Sequence, residues 1–291
     1  MHSTILITGA TGTVGREVVI QLSMLEGDVR VRAGVHSLIK GENLKRLPGV
    51  EIVEIDFEDQ ASLHAAFTHV DKVFLITPFA EDEVEMAKTL IDEAKKKGVK
   101  HIVKLSAMGA DATPGITLGR RHHEIEQYIE DSGIAYTFLR PSSFMQNYQN
   151  YDAESIKREG QFYQSTGNGK VAYIDARDIA AVGVEILTGT GHEGKAYDLT
   201  GLEALSNYEV AQVLSEVRRK QVTFVDVPEE AARQAMLAQQ IPEWMVDALL
   251  ELNRLYKAGY GGNITDTVQQ ITGRVPHTFR EFVQDHLDSF V

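Results

Sequence analysis

Cysteine is absent from the 291 residues, which excludes disulfides, thiolate nucleophiles and cysteine-held metals. Long apolar runs are absent as well, none approaching the ~18 residues of a membrane-spanning helix. Cations are scarce: 29 Lys and Arg stand against 42 Asp and Glu, a formal charge of −13. Binding along a phosphate backbone needs clustered Lys and Arg, so no nucleic-acid surface is expected. The one basic run, Lys95-Lys96-Lys97 with Lys100, ends a helical pattern, where positive charge complements the helix dipole. A strand-like run begins at Thr4, leaving no room for a signal or transit peptide. With the missing cysteines, this points to a cytoplasmic protein.

What is present is an alternation. Hydrophobic residues make up 43% and charged residues 24%, ordinary for a chain able to bury a core. Apolar runs rich in β-branched residues read as buried strands at Thr4–Thr8, Val29–Val35, Val50–Asp56, Lys72–Ile76, His101–Ser106 and Ala135–Leu139. Helical spacing separates them: after Gly12 through Val14, Val18, Val19 and Leu22, then from Asp59 to Phe67, Glu81 to Lys97 and Leu118 to Ser132. Such crossovers give a parallel sheet. The pattern predicts an α/β fold, a Rossmann-type doubly wound sheet of order 3-2-1-4-5-6, with ligands beyond the carboxyl ends of its strands.

After Pro141 the pattern loosens. Val171–Ile174 and Lys195–Leu199 read as strands, Ala176–Leu187 and Tyr208–Val217 as helices, and Glu229–Tyr256 as largely helical. We expect a Rossmann domain over residues 1–201 and a smaller, mainly helical substrate lid over 202–291, to which 144–164 contribute. Trp244, Met236 and Met245 read as core, and Asp175 or Arg177-Asp178 as caps of the helix near Ala176.

Gly9-Ala10-Thr11-Gly12-Thr13-Val14-Gly15 is G-x-x-G-x-x-G between a strand and a helix. The first Gly allows a tight turn, the second lets backbone N–H groups approach a pyrophosphate, and the third lets helix and strand pack closely. The helix N-terminus adds partial positive charge. This predicts a nicotinamide dinucleotide. NAD enzymes carry an Asp or Glu at the end of the second strand, yet Val29 to Gly41 holds no carboxylate and instead offers Arg32, His36, Ser37 and Lys40. Such groups suit a 2′-phosphate, so NADP(H) is favoured and NAD(H) stays open; the alternative is that Arg32 and Lys40 are merely solvated.

The segments Thr8–Gly15, Asp56-Phe57, Thr77-Pro78, Ser106–Ala110, Gly133–Tyr148, Tyr197–Thr200 and Thr272–Phe282 together resemble the NmrA-like branch of the atypical short-chain dehydrogenases. Within it, the chain is similar to bacterial NAD(P)H-dependent quinone oxidoreductases, triphenylmethane reductases and alkaloid reductases. The resemblance implies that Gly9–Val14 hold the pyrophosphate, that Asp56 and Phe57 meet the adenine, and that Ile76, Thr77 and Pro78 line a ribose. Ser106 would also contact the cofactor, and Pro141, Ser142, Ser143 and Phe144 would border the nicotinamide. His36 stands where many relatives carry an Arg for the 2′-phosphate.

Ordinary short-chain dehydrogenases pass a proton through Tyr-x-x-x-Lys, but none of the 10 tyrosines here has a Lys four residues later. His122 and Glu126, spaced i, i+4 on one helix face, match the branch's His-x-x-x-Glu pattern instead. The carboxylate would fix the tautomer and raise the pKa of the histidine, making it an acid or a ribose ligand. A surface helical pair is the alternative, and with no third ligand nearby no metal is expected. Met108, Phe144, Met145, Asn147 and Tyr148 are candidates to pack a flat, apolar or aromatic acceptor, although Phe144 and Met145 could equally be core. The expected activity is hydride transfer from NADPH to a quinone, enone or dye. The alternative is a redox sensor that binds NADP(H) without turnover and signals through a protein partner.

Overall fold

The computed structural model describes residues 3–27 and 29–291. In chain order its elements are β1 (Ser3–Ile7), α1 (Thr13–Ser23), β2 (Val29–Val35), α2 (Leu38–Gly41), β3 (Val50–Glu54), α3 (Gln60–Phe67), β4 (Lys72–Leu75), α4 (Glu83–Lys97), β5 (His101–Leu105), α5 (Thr117–Ser132) and β6 (Ala135–Pro141). There follow α6 (Ala153–Glu159), β7 (Gln161–Gln164), β8 (Lys170–Val171), α7 (Ala176–Thr188), β9 (Lys195–Leu199), β10 (Leu205–Ser206), α8 (Asn207–Arg218), β11 (Thr223–Asp226), α9 (Glu229–Ala238), α10 (Glu243–Lys257), α11 (Thr267–Thr272) and α12 (Phe279–Asp285).

The strands form a seven-stranded sheet, β3-β2-β1-β4-β5-β6-β9, with parallel pairs from β3 through β6. The doubly wound order read from the sequence is therefore present, extended by β9 along β6, where Gly194 N–H donates to the Tyr136 carbonyl at 2.8 Å. Two compact units share the chain: unit 1 takes residues 1–111, 119–140 and 176–197, and unit 2 takes 112–118, 141–175 and 198–291.

In unit 1 the alternating strand residues divide between two layers of helices. Leu6, Val73, Leu75, Ile102 and Phe138 join Leu63 and Phe67 of α3, Leu90 and Ile91 of α4, and Ile125 and Ile129 of α5 in one apolar cluster. Each such side chain, when fully buried, contributes about 1.5–3 kcal/mol. On the other face α1 packs against α7, Gln21 Nε2 donating to the Arg177 carbonyl at 3.0 Å. Asp59 caps α3 by accepting from Ala61 N–H, and the lysines Lys95–Lys97 do fall in the last turn of α4, before Gly98 ends it.

Unit 2 has its own core. Tyr148, Phe162, Tyr173, Phe224, Phe279, Phe282 and Phe290 cluster with Leu214 and Val210 of α8, and β7 pairs parallel with β11. Reciprocal capping boxes, Ser206 with Glu209 and Thr278 with Glu281, start α8 and α12. Two expectations change here. The run Val171–Ile174 keeps strand pairing only at Val171 with a single further bridge from Ile174 to Phe144. The helical stretch from Glu229 breaks into α9 and α10, because Gln240 adopts φ +61° and Pro242, without an N–H, can only start a helix. Among the described residues no helix is long and apolar enough to cross a membrane.

Candidate functional site

β1 is followed by Thr8, whose Oγ1 donates to the Ile76 carbonyl and accepts from the Ile76 N–H, each at 2.7 Å. This pins the end of β1 to the end of β4. Gly9 then adopts φ +60°, a region that costs a residue with a Cβ roughly 1–2 kcal/mol. Gly12 N–H closes the turn on the Gly9 carbonyl at 2.9 Å, and α1 begins at Thr13. A Cβ on Gly15 would stand 2.3 Å from the Gly9 oxygen, so helix and turn meet backbone to backbone. Ala10 and Val14 are buried while Thr11, Gly12 and Thr13 are exposed. Gly12, at the N-cap, offers no capping side chain, so the first N–H groups of α1 and their partial positive charge open onto the turn. Those are the features a pyrophosphate requires, and the turn fits a dinucleotide.

At the end of β2, His36 and Lys40 are exposed and Ser37 is half-buried. Arg32 is a correction. Its guanidinium is committed inside unit 1, Nη1 to the carbonyls of Ala66 at 3.0 Å and Thr68 at 2.7 Å and Nε to Glu51 at 3.0 Å. It satisfies the carboxyl end of α3 and is not available to a phosphate. Asp56 and Phe57 are partly buried after β3. Asp56 Oδ1 accepts from Glu58 N–H at 2.9 Å, and Phe57 packs on the apolar cluster. After β4, Ile76 and Thr77 are half-buried and Pro78 is exposed, with Thr77 Oγ1 donating to Glu83 at 2.9 Å.

Behind the ends of β5 and β6 lies a cluster of buried charge. Ser106 Oγ donates to Glu126 Oε1 at 2.6 Å. Arg140 takes the same carboxylate in two bonds and reaches Asp111 at 2.6 Å. The carboxylates and the hydrogen bonds to them hold the Arg140 pKa above its ordinary value, Glu126 first. Lys104, fully buried on β5, places Nζ 2.8 Å from the Leu105 carbonyl and 3.1 Å from His122 Nδ1. Glu83 is paired with Arg121, 3.4 Å apart.

Here the reading of His122 and Glu126 as a mutual pair is corrected. Glu126 spends its oxygens on Ser106 and Arg140, and the partner of His122 is a lysine. Burial, then Lys104 and Arg121, hold the His122 pKa well below its ordinary value, the opposite of the increase expected from a neighbouring carboxylate. His122 is thus a neutral ring at physiological pH and no imidazolium acid. Met108 and Met145 separate too: Met108 is half-buried in the loop after β5, whereas Met145 is fully buried in the core of unit 2. Tyr148 is likewise core. It packs edge-on against Phe162, Tyr173 and Phe279 and bonds Asn207 through its hydroxyl at 2.5 Å, so neither side chain is placed to touch an acceptor. Pro141 and Ser142 are buried, while Ser143, Phe144 and Asn147 are half-buried; Asn147 Nδ2 donates to Ser143 Oγ at 3.2 Å.

Lys104, Arg140, Arg121 and Glu83 were not among the candidates read from the sequence. A lysine inside the apolar strand His101-Ile102-Val103-Lys104-Leu105 was the available signal, since lysine is almost never fully buried unless paired. Among the described residues no group of three or more His, Asp or Glu could hold a metal ion.

A model of the NmrA-like family matches residues 1–283. The chain belongs to that family. It is 42% identical to an NAD(P)H azoreductase of Xenophilus azovorans, over 98% of this chain and 99% of that one. The structure superposes on the Escherichia coli NADPH-dependent quinone oxidoreductase complexed with NADPH at a TM-score of 0.86, with 30% identity over 98% and 99% of the two chains. Against the Citrobacter triphenylmethane reductase the TM-score is 0.85, with 27% identity over 98% and 99%.

Proposed function

We propose that this NmrA-like protein is an NAD(P)H-dependent oxidoreductase, favouring NADPH, that reduces a small conjugated acceptor of the quinone, enone or dye class. The observation that carries the reading is the Gly9–Gly15 turn, with its left-handed Gly9, its Cβ-excluding Gly15 and its open helix N-terminus. The full-length likeness to an azoreductase, a quinone oxidoreductase and a dye reductase supports the acceptor class.

Bound at this turn, the dinucleotide supplies the hydride, so little side-chain chemistry is demanded of the protein. The N–H groups at the start of α1 hold the pyrophosphate. His36, Ser37 and Lys40 receive the 2′-phosphate, and Asp56 and Phe57 flank the adenine. Ile76, Thr77 and Pro78 border a ribose. Ser106, tied to Glu126, acts by holding the end of β5 against α5 and β6. Glu126 is a positioning group, and His122 serves as a neutral hydrogen-bonding ring. With no Tyr-x-x-x-Lys in the sequence, the protein is of the atypical short-chain dehydrogenase kind and the proton comes from water. The absence of cysteine suits a cytoplasmic setting.

The test is a titration with NADPH and NADH followed by the absorbance of the nicotinamide band in the presence of quinones, azo dyes and triphenylmethane dyes. Binding with consumption of NADPH by at least one of these classes is expected. Tight binding without turnover across all three would replace the enzyme with a nucleotide sensor.

A further inference from the structure

A cation buried against a histidine fixes where that histidine carries its proton. Lys104 lies wholly inside unit 1 on a central strand, where an unpaired ammonium costs several kcal/mol. Its Nζ has two close partners, the Leu105 carbonyl at 2.8 Å and His122 Nδ1 at 3.1 Å. An ammonium has protons and no lone pair. The second contact therefore has one direction: Nζ–H donates and Nδ1 accepts. A neutral ring whose Nδ1 accepts carries its proton on Nε2.

We propose that Lys104 is a positioning residue that locks His122 as the neutral Nε2–H tautomer, so that the ring presents a hydrogen-bond donor to a ribose hydroxyl of the dinucleotide. The lock rests on the geometry of unit 1 alone, and the ribose clause rests on the function proposed above. The arrangement supplies the order that Glu126 was expected to supply, from β5 instead of from α5. It also replaces a proton-transfer role for His122 with one of orientation.

The charges around the pair are consistent with this. Lys104 faces Glu83 from α4 and Glu126 from α5, and His122 faces Lys104 and Arg121. Each carboxylate is also paired with an arginine, Glu83 with Arg121 and Glu126 with Arg140, which leaves His122 the uncharged member of the cluster. Burial lowers the Lys104 pKa to about 8. Below that pH Nζ can only donate and the tautomer is fixed. Above it the amine gains a lone pair, can accept from Nδ1–H, and the restriction is lifted.

Long-range proton–nitrogen correlation spectra of the histidine-labelled protein, with His122 assigned by a His122→Gln variant, test the lock without any turnover. At neutral pH the wild type should show a protonated Nε2 and a bare Nδ1, with the second tautomer growing in above about pH 8. Lys104→Met keeps a side chain of similar length and removes the donor, and the same spectra report whether the variant is folded. In it both tautomers should appear and the ring should titrate closer to the ordinary histidine value. Lys104→Arg, which keeps a donor, should restore the wild-type pattern. A protonated Nδ1 in the wild type at neutral pH, or His122 signals unchanged in folded Lys104→Met, would overturn the lock. Calorimetric titration then separates the two clauses. Lys104→Met should weaken NADPH binding roughly three- to tenfold, the scale of one hydrogen bond. Unchanged affinity would overturn the ribose clause, whereas a wild type that does not bind NADPH would defeat the proposed function while the spectra still decide the lock.

Discussion

Arg140 grips Glu126 with two hydrogen bonds, Nε to Oε1 at 3.0 Å and Nη2 to Oε2 at 2.7 Å. The two side chains are 12% and 3% exposed, and the pair joins β6 to α5 while Ser106 ties β5 to the same carboxylate. Neutralising Glu126 removes the buried, bidentate partner and leaves Arg140 with only the exposed Asp111 as its counter-charge. Glu126→Gln is expected to destabilise the protein by about 3 kcal/mol, read as a lower midpoint in a denaturant titration. Replacing both partners by apolar residues, Glu126→Leu with Arg140→Met, should cost less than the single change. A double variant no more stable than Glu126→Gln would show that the ion pair is itself net stabilising and not merely costly to break.

The turn makes a sharper demand. Because a Cβ on Gly15 would lie 2.3 Å from the Gly9 oxygen, Gly15→Ala must push α1 away from the turn. Overpacking of this kind costs about 1–3 kcal/mol, and here it also moves the N–H groups that face the pyrophosphate. NADPH affinity should fall at least tenfold while circular dichroism still shows a folded protein. Binding unchanged in Gly15→Ala would place the dinucleotide elsewhere.

Discrimination between the two dinucleotides should depend on the exposed residues after β2 and not on Arg32. His36→Arg adds a cation where a 2′-phosphate is expected, and one charge-assisted hydrogen bond is worth about 1.5–3 kcal/mol before solvent screening. NADPH should therefore bind several-fold tighter, with NADH unaffected. Arg32→Met should lower the thermal midpoint by freeing the Ala66 and Thr68 carbonyls and leave the NADPH-to-NADH ratio as it was. A ratio that collapses in Arg32→Met would return the phosphate to that side chain.

These contrasts show which physical facts a sequence carries. The glycine turn was legible because Gly9, with its positive φ, and Gly15, with no room for a Cβ, answer backbone requirements that other residues meet only under strain. The strands β1 to β6 were legible because burial on both faces of a parallel sheet demands apolar runs. The place of β9 was not, since the composition of Lys195–Leu199 identifies a strand and says nothing of its neighbour. Charged side chains were the hardest to place. Arg32 and His122 were recognised as groups that could meet a cofactor, yet their partners are carbonyls of α3 in one case and a lysine of β5 in the other. Spacing along a helix revealed Glu126 beside His122 because i, i+4 is local. It could not reveal Lys104, which only the packing of α5 on β5 brings near. Tyr148 and Met145 failed for a related reason: apolar residues that could line an acceptor are the same residues that fill a core.

Asp152 provides a test in unit 2, independent of any ligand. It ends the wide helical turn Tyr148–Asp152. Burial raises its pKa from 3.8 to about 7, against the lowering effect of Gln164, whose Nε2 donates to it at 3.3 Å. In the unfolded chain the carboxyl ionises at its ordinary value, so between roughly pH 4 and pH 7 the folded protein binds the extra proton. Stability must then fall as the pH rises across that window, with the penalty complete above about pH 7. The size of the shift places the penalty on the order of a few kcal/mol. Asp152→Asn keeps an oxygen to accept from Gln164 and removes the titrating group. It should flatten this part of the stability profile and make the protein more stable than the wild type at pH values above 7, as read from denaturant midpoints across the pH range. Equal stability of the two proteins on the alkaline side would mean that the carboxylate finds solvation inside the fold.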